Sequence, residues 1–355
     1  MRVGICAFWF NRGQGVVARQ LRSALDELGH ETFILGRPTK ESFPMPQEAR
    51  EDDVWAQQGV TAASDFFIPE PELIGWAADN RLDACFFDQN YEFDSIAALR
   101  TSGVRTIGRF VWERFSDEHI EGAQKAYETI YSMTRAEQAR YRTMGVETPF
   151  LQWGIHPEYA RVVPNRSAPP VTFHYHAGLL GKRKPFKEIV EAFSNTSDPQ
   201  LRLIVKAQIE RRMKFLERAA KKDDRIELVL EDLPTEQHLQ MCADASVCMA
   251  PARWEGLGLH LYEAIAFGQP IVSNDDAPMN ELITDGVNGL LVPSHHEGDA
   301  NSGIPAKTVD VAGLTNAIER LADPALRAEL ERGAERRREE LSWARAVESV
   351  RELLG

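Results

Sequence analysis

The chain has 355 residues, 43% of them hydrophobic and 27% charged, and a net charge of −13 at pH 7. That length suggests two domains, or one large one, with sizeable cores, and the acidity argues against a nucleic-acid partner, whose phosphates demand a basic footprint. No run approaches membrane-span length and Arg2-Val3-Gly4-Ile5-Cys6 lacks a signal-peptide layout, so a cytoplasmic protein is expected, with membrane-surface association left open but favoured by nothing.

Apolar runs alternate with amphipathic stretches nearly end to end, which is the pattern of parallel α/β architecture. Residues 3–10 read as a strand, 16–28 as a helix closed by Gly29, and 32–35 as a second strand. Between the first two, Gly13-Gln14-Gly15-Val16-Val17-Ala18 contains G-x-G-x-x-A, which alone would suggest dinucleotide binding by a Rossmann oxidoreductase. Polar residues separate Gly13 from the strand, and Gly36-Arg37 rather than an acid ends the second strand. Either way Gly13 and Gly15 fit a close backbone approach. Residues 37–74, rich in proline and acids with weak periodicity, read as a large irregular excursion. Further strands are expected at 84–88, 106–111, 129–132 and 149–153. Ligands of α/β sheets gather at the carboxyl ends of strands, which makes Asp88, Asn90 and Tyr91 candidate pocket residues, with Thr134 and Arg135 behind them.

Around residues 156–170 the texture turns linker-like and ends in Pro169-Pro170. A fresh α/β series follows: strand 171–176, helix 186–193, strand 201–206, helix 210–221, strand 226–230 and helix 235–242, with successive helices from 309 onward. The expected domains are therefore 1–165 and 166–340, with 341–355 as a terminal helix. Four cysteines without C-x-x-C spacing read as buried reduced thiols, ahead of metal ligands or disulfides. The basic runs at 211–214 and 336–338 are bordered by acids and read as solvated faces.

The most informative stretch runs from Arg253 to Pro270 and reads as a turn and helix between strands 245–250 and 270–273. Were Glu255 and Glu263 both helical, their spacing of eight would set them roughly 12 Å apart along the axis and about 80° round it. They converge on one ligand only if Glu255 lies in the loop and the helix starts near Gly258. The amides of Gly256, Leu257 and Gly258, with the helix dipole, would then attract an anion such as a diphosphate. Glu263 could accept hydrogen bonds from a diol.

This run resembles the Glu-x7-Glu signature of the retaining glycosyltransferases of family 4, close to E-G-F-G-L-x-x-L-E-A-M-A-x-G-x-P-V-I-x-S. The sequence Glu281-Leu282-Ile283-Thr284-Asp285-Gly286-Val287-Asn288-Gly289-Leu290-Leu291-Val292 matches the block that follows it there, and the matched span covers about a tenth of the chain. The resemblance implies an α/β fold of two Rossmann-like domains facing a central cleft (GT-B), with the last helix crossing back to the N-terminal domain. It implies a nucleotide-diphosphate sugar as donor substrate, no cofactor, and a sugar-containing or other hydroxyl acceptor. Glu255 would grip the donor sugar, Glu263 the ribose, and the loop at Gly13 and Gly15 would approach the donor phosphates.

Gly181-Lys182-Arg183-Lys184-Pro185-Phe186 opens a helix with three adjacent cations, which is awkward for the dipole unless an anion binds there. The segment looks like the family's G-R-L-x-x-x-K-G block, whose arginine and lysine hold the diphosphate. Lys184 falls on the lysine. Leu179 stands at the arginine position, so Arg183 would have to reach back. The family's frequent histidine near the reacting sugar is missing; Trp112 and Glu113 stand there, facing either the acceptor or the core. By the same resemblance Asp88, Asn90, Tyr91 and Trp112 lie on the acceptor side. No D-x-D triplet or zinc spacing is present, so no metal is expected, and His260 is given no chemistry. The expected activity is metal-independent, retaining sugar transfer with Glu255, Lys184, Arg183 and Glu113 at the chemistry. A catalytically silent nucleotide-sugar-binding homologue and an NAD(P)-dependent oxidoreductase are the alternatives.

Overall fold

The computed structural model describes residues 1–43, 45–166, 169–209 and 213–355. The chain forms two compact units, 1–153 with 343–355, and 154–342.

The first unit contains β1 (Arg2–Phe8), α1 (Gly13–Glu27), β2 (Glu31–Arg37), β3 (Val60–Ala62), α2 (Glu70–Asp79), β4 (Ala84–Asp88), α3 (Phe93–Thr101), β5 (Arg105–Arg109), α4 (Ile120–Ala126), β6 (Thr129–Tyr131) and α5 (Arg135–Thr143). Its sheet runs β3-β2-β1-β4-β5-β6 with every pair parallel. Central β1 and β4 are covered on both faces, which is why they read as near-continuous apolar runs rather than as alternating ones.

The second unit contains β7 (Val171–Gly178), α6 (Phe186–Ser194), β8 (Leu201–Ala207), α7 (Lys214–Lys222), β9 (Ile226–Leu230), α8 (Thr235–Asp244), β10 (Val247–Met249), α9 (Leu259–Ala266), β11 (Ile271–Asn274), α10 (Met279–Leu282), β12 (Gly289–Val292), β13 (Ser294–Asp299), β14 (Pro305–Val309), α11 (Val311–Arg320) and α12 (Pro324–Glu340). Its sheet, β12-β11-β10-β7-β8-β9, is again parallel throughout. The antiparallel hairpin β13-β14 stands outside it. The closing helix, α13 (Trp343–Leu354), belongs to the first unit. Trp343 Nε1 donates to Glu27 on α1 at 2.8 Å, and Ala346 and Val350 are fully buried.

Several elements differ from the sequence reading. The strand expected at 149–153 is a single bridge between Ser132 and Phe150, next to a proline that has no N–H to give a ladder. Helix α1 begins at Gly13, so both glycines lie in its first turn. Within 37–74, β3 and the start of α2 are regular, and a single helical turn, Asp53–Trp55, is pinned by Trp9 Nε1 donating to the Trp55 carbonyl at 2.9 Å. The division falls at 153/154 rather than 165/166 because Ile155, Tyr159 and Val162 pack against Leu239, Ala243 and Phe267. Apolar contact, and not linker-like composition, assigns that segment. Of the expected helix at 210–221 and the basic run at 211–214, residues 210–212 lie outside the described residues, as do 167–168 of the linker stretch.

Candidate active site

Strand β10 delivers the chain into a loop that carries Glu255, and α9 starts immediately after Gly258. Gly258 is the helix N-cap with φ 73°, a left-handed conformation that glycine adopts without a Cβ penalty. A Cβ there would also meet Leu261 Cδ1 at 3.0 Å. Every residue of α9 from His260 to Ala266 is buried, so the helix carries Glu263 into the interior of the unit.

Strand β7 pairs directly with β10, so the turn after β7 lies beside this loop. Lys184 Nζ donates to Glu255 Oε2 at 2.8 Å, and Arg183 Nη1 lies 3.1 Å from Oε1. The Gly256 amide donates to the same Oε1 at 3.1 Å, and the Arg253 amide ties the two loops together through the Arg183 carbonyl at 2.8 Å. The Lys184 and Glu255 side chains are each only 6% exposed, against 37% for Arg183. An exposed basic turn would not bury its lysine. Burial opposes ionisation of Glu255, but Arg183 and Lys184 together hold its carboxyl well below the usual range. Burial also pulls the Lys184 ammonium down, and Glu255 opposes that.

Glu263 lies further along α9, and burial, reinforced by Glu158, raises its carboxyl to about 7. Between the two glutamates runs a seam of imidazoles. His260 stacks on His176 at 5.6 Å, and His176 meets His174 at 4.4 Å and His238 at 5.3 Å. Lys184 and Glu255 bear electrostatically on His260, and a nitrogen of His176 lies within 4.8 Å of a Glu263 oxygen. Both glutamates thus belong to one continuous polar seam inside the second unit. The cluster offers opposed charges and hydrogen-bonding groups at a loop-to-helix start, which suits a phosphorylated, hydroxyl-rich ligand.

Residues 164–306 match the family model "Glycosyl transferases group 1". The whole chain superposes on sucrose-phosphate synthase from Thermosynechococcus elongatus with a TM-score of 0.76 and 17% identity, covering 100% of this chain and 98% of that one. It superposes equally fully on Anabaena Alr3699/HepE in complex with UDP-glucose, at a TM-score of 0.74, 12% identity, and 100% and 99% coverage. The chain has the GT-B fold. Over 118 residues it is 32% identical to a D-inositol 3-phosphate glycosyltransferase of Acidothermus cellulolyticus, which is 33% of this chain and 23% of that protein. Over 126 residues it is 33% identical to an alpha-maltose-1-phosphate synthase of Mycolicibacterium smegmatis, at 35% and 31% coverage. The chain thus matches less than a third of the length of either relative.

The other candidate residues lie in the first unit of this GT-B fold. Gly13 is exposed at the start of α1, whereas a Cβ on Gly15 would sit 2.2 Å from the Phe10 carbonyl oxygen. Packing alone therefore accounts for the second glycine. Arg37, at the end of β2, is fully buried and donates to the carbonyls of Gln89 (2.9 Å) and Asp88 (3.0 Å). Asp88 lies 3.5 Å from Arg109, and burial raises its carboxyl against the pull of Arg109 and Arg37. Asn90 is fully buried, with its amide donating to Glu92 at 2.8 Å and to Cys6 Sγ at 3.3 Å. The Tyr91 hydroxyl meets Gln89 Oε1 at 2.9 Å, and its ring packs on Phe110. Trp112 packs against the core of this unit, and Glu113 is half-buried and near enough to Glu137 to raise it. Thr134 caps α5 by accepting from the Glu137 amide, and Arg135 lies over Phe150 at 3.5 Å.

Sequence reasoning passed over His174, His176 and His238, gave His260 no chemistry, and read Cys242 as a buried free thiol, which it is. One signal was available: His238 and Cys242 are four apart on an amphipathic helix and so share a face. No helix among the described residues is long and apolar enough to cross a membrane.

Proposed function

We propose that this protein is a retaining, metal-independent glycosyltransferase of family 4 that works in the cytoplasm. It moves a sugar from a nucleotide-diphosphate sugar to an acceptor hydroxyl. The observation that carries the reading is the buried Glu255, gripped by Lys184 and Arg183 at the start of α9. Arg183 reaches Glu255 although Leu179 stands where the family places its arginine, so the pair of cations is complete. The neighbour captured with UDP-glucose supports a nucleotide-sugar donor.

In this reading the second unit holds the donor. Glu263 takes the ribose hydroxyls, and Glu255 with the amides of Gly256, Leu257 and Gly258 orients the sugar. Lys184 and Arg183 neutralise charge that develops on the departing diphosphate, a role in which one preorganised donor is typically worth roughly 3 kcal/mol of barrier. The departing phosphate then takes the acceptor proton. The first unit carries the acceptor, with Asp88, Tyr91, Trp112 and Glu113 as its contacts.

The test is donor hydrolysis or transfer across a panel of nucleotide-diphosphate sugars in the presence of EDTA, with the anomer of the product read by NMR. Turnover with retention is expected, and Lys184→Ala and Glu255→Gln should each lower kcat by about 10²–10³. Tight nucleotide binding with no turnover for any acceptor would leave a binding module instead.

A further inference from the structure

We propose that His176, His238, Cys242 and Glu263 form a binding site for a thiophilic divalent cation of the zinc class. The four residues come from three elements: His176 from β7, His238 and Cys242 from α8, and Glu263 from α9. One ligand atom from each lies within 4.8 Å of all the others. Cys242 Sγ is 3.4 Å from His176 Nε2 and 3.7 Å from His238 Nε2. A tetrahedral zinc ion, with Zn–S of about 2.3 Å and Zn–N of about 2.0 Å, sets its nitrogen and sulfur ligands about 3.5 Å apart. The side chains are thus already spaced as such an ion would hold them.

The donor set selects the ion. Imidazole and thiolate favour zinc or cobalt, whereas magnesium and calcium want oxygen ligands throughout. A thiolate and a carboxylate together carry two negative charges, so a divalent cation leaves the loaded site neutral, and uptake releases the thiol proton to solvent. No described residue donates a hydrogen bond to the Glu263 carboxylate, which leaves its lone pairs to a ligand. The nearby Lys206 ammonium is occupied by the Ala207 and Glu231 carbonyls. Cys242 and Glu263 are buried and the two imidazoles half-buried, so an ion can reach the site from the histidine side.

The site shares Glu263 with the ribose contact of the proposed function, and one consequence rests on that reading: a bound cation takes the carboxylate from the nucleotide. Zinc would then inhibit donor binding while playing no part in the chemistry.

Titration of the EDTA-stripped full chain with Co²⁺ is the test. One equivalent should bind with tetrahedral d–d bands and a thiolate-to-cobalt charge-transfer band, all bleached by Zn²⁺. Cys242→Ser should abolish the charge-transfer band, and His238→Ala should weaken Zn²⁺ binding at least tenfold. Circular dichroism of the metal-free variants checks their fold, and Glu263→Gln or His176→Gln supplies the same readout if either is unfolded. An octahedral spectrum without thiolate character, or binding untouched by Cys242→Ser, overturns the site. Separately, Zn²⁺-loaded, desalted protein should bind ADP, GDP or UDP at least tenfold more weakly than metal-free protein. Cobalt ligation with unchanged nucleotide affinity would uphold the metal site and remove Glu263 from the donor contacts. Absence of nucleotide binding in metal-free protein would overturn the proposed function alone.

Discussion

Lys184 Nζ lies 2.8 Å from Glu255 Oε2 although the two residues are 71 apart in the chain, and both side chains are almost wholly buried. Such a pair is poor evidence for stability while intact, but removing one partner strands the other charge in a medium that solvates it badly. Lys184→Met should therefore destabilise the protein by about 3 kcal/mol in urea unfolding at neutral pH. Arg183→Ala should do so by clearly less, because its half-exposed guanidinium is screened by water. Equal losses would mean that the lysine is not buried.

The two glycines in the first turn of α1 should behave differently. Gly15→Ala places a methyl 2.2 Å from a backbone oxygen, so α1 must move away from the end of β1. A loss of several degrees in Tm is expected, whereas Gly13→Ala, on an exposed position, should leave Tm nearly unchanged. Thermal melts of the two variants without ligand decide the matter, since a purely phosphate-binding Gly15 would tolerate alanine there.

Glu137 is a buried carboxyl in the first unit, raised to about 7 by burial despite Arg109 and the Met133 amide. The unfolded chain loses this proton near 4.5, so between those values the folded state binds more protons and stability falls as pH rises. Glu137→Gln should gain on the wild type by about 3 kcal/mol between pH 4 and pH 8. Denaturant titrations at the two pH values measure the change, and a difference independent of pH would refute the shifted carboxyl.

His260 has the opposite sign. Burial first, then the charge of Lys184, holds its imidazole neutral down to about 3, whereas the unfolded chain protonates it near 6.5. Its contribution is complete above 6.5 and is lost as pH falls towards 3. Compared with its standing at pH 7.5, His260→Asn should improve on the wild type by about 2 kcal/mol at pH 5. Unfolding in EDTA at both pH values tests this, and parallel curves for the two proteins would rule it out.

The sequence by itself determined the alternating architecture, a helix start near Gly258 behind a loop that could carry Glu255, and the choice of Lys184 as a cation of interest. All of these are written in contiguous stretches, where periodicity and turn chemistry report on residues adjacent in the chain. It misjudged the start of α1 and the edge of the second unit, because a glycine that permits close packing reads like one that permits a ligand, and a polar linker reads like a boundary even where a tyrosine anchors it. Only the tertiary structure decided that β7 lies beside β10. That pairing sets the turn after β7 against the loop before α9, closes the Lys184–Glu255 pair, and brings histidines from a strand and two helices into one seam with Cys242 and Glu263. Side chains from separate elements meet through sheet order and packing, and no local pattern encodes that distance.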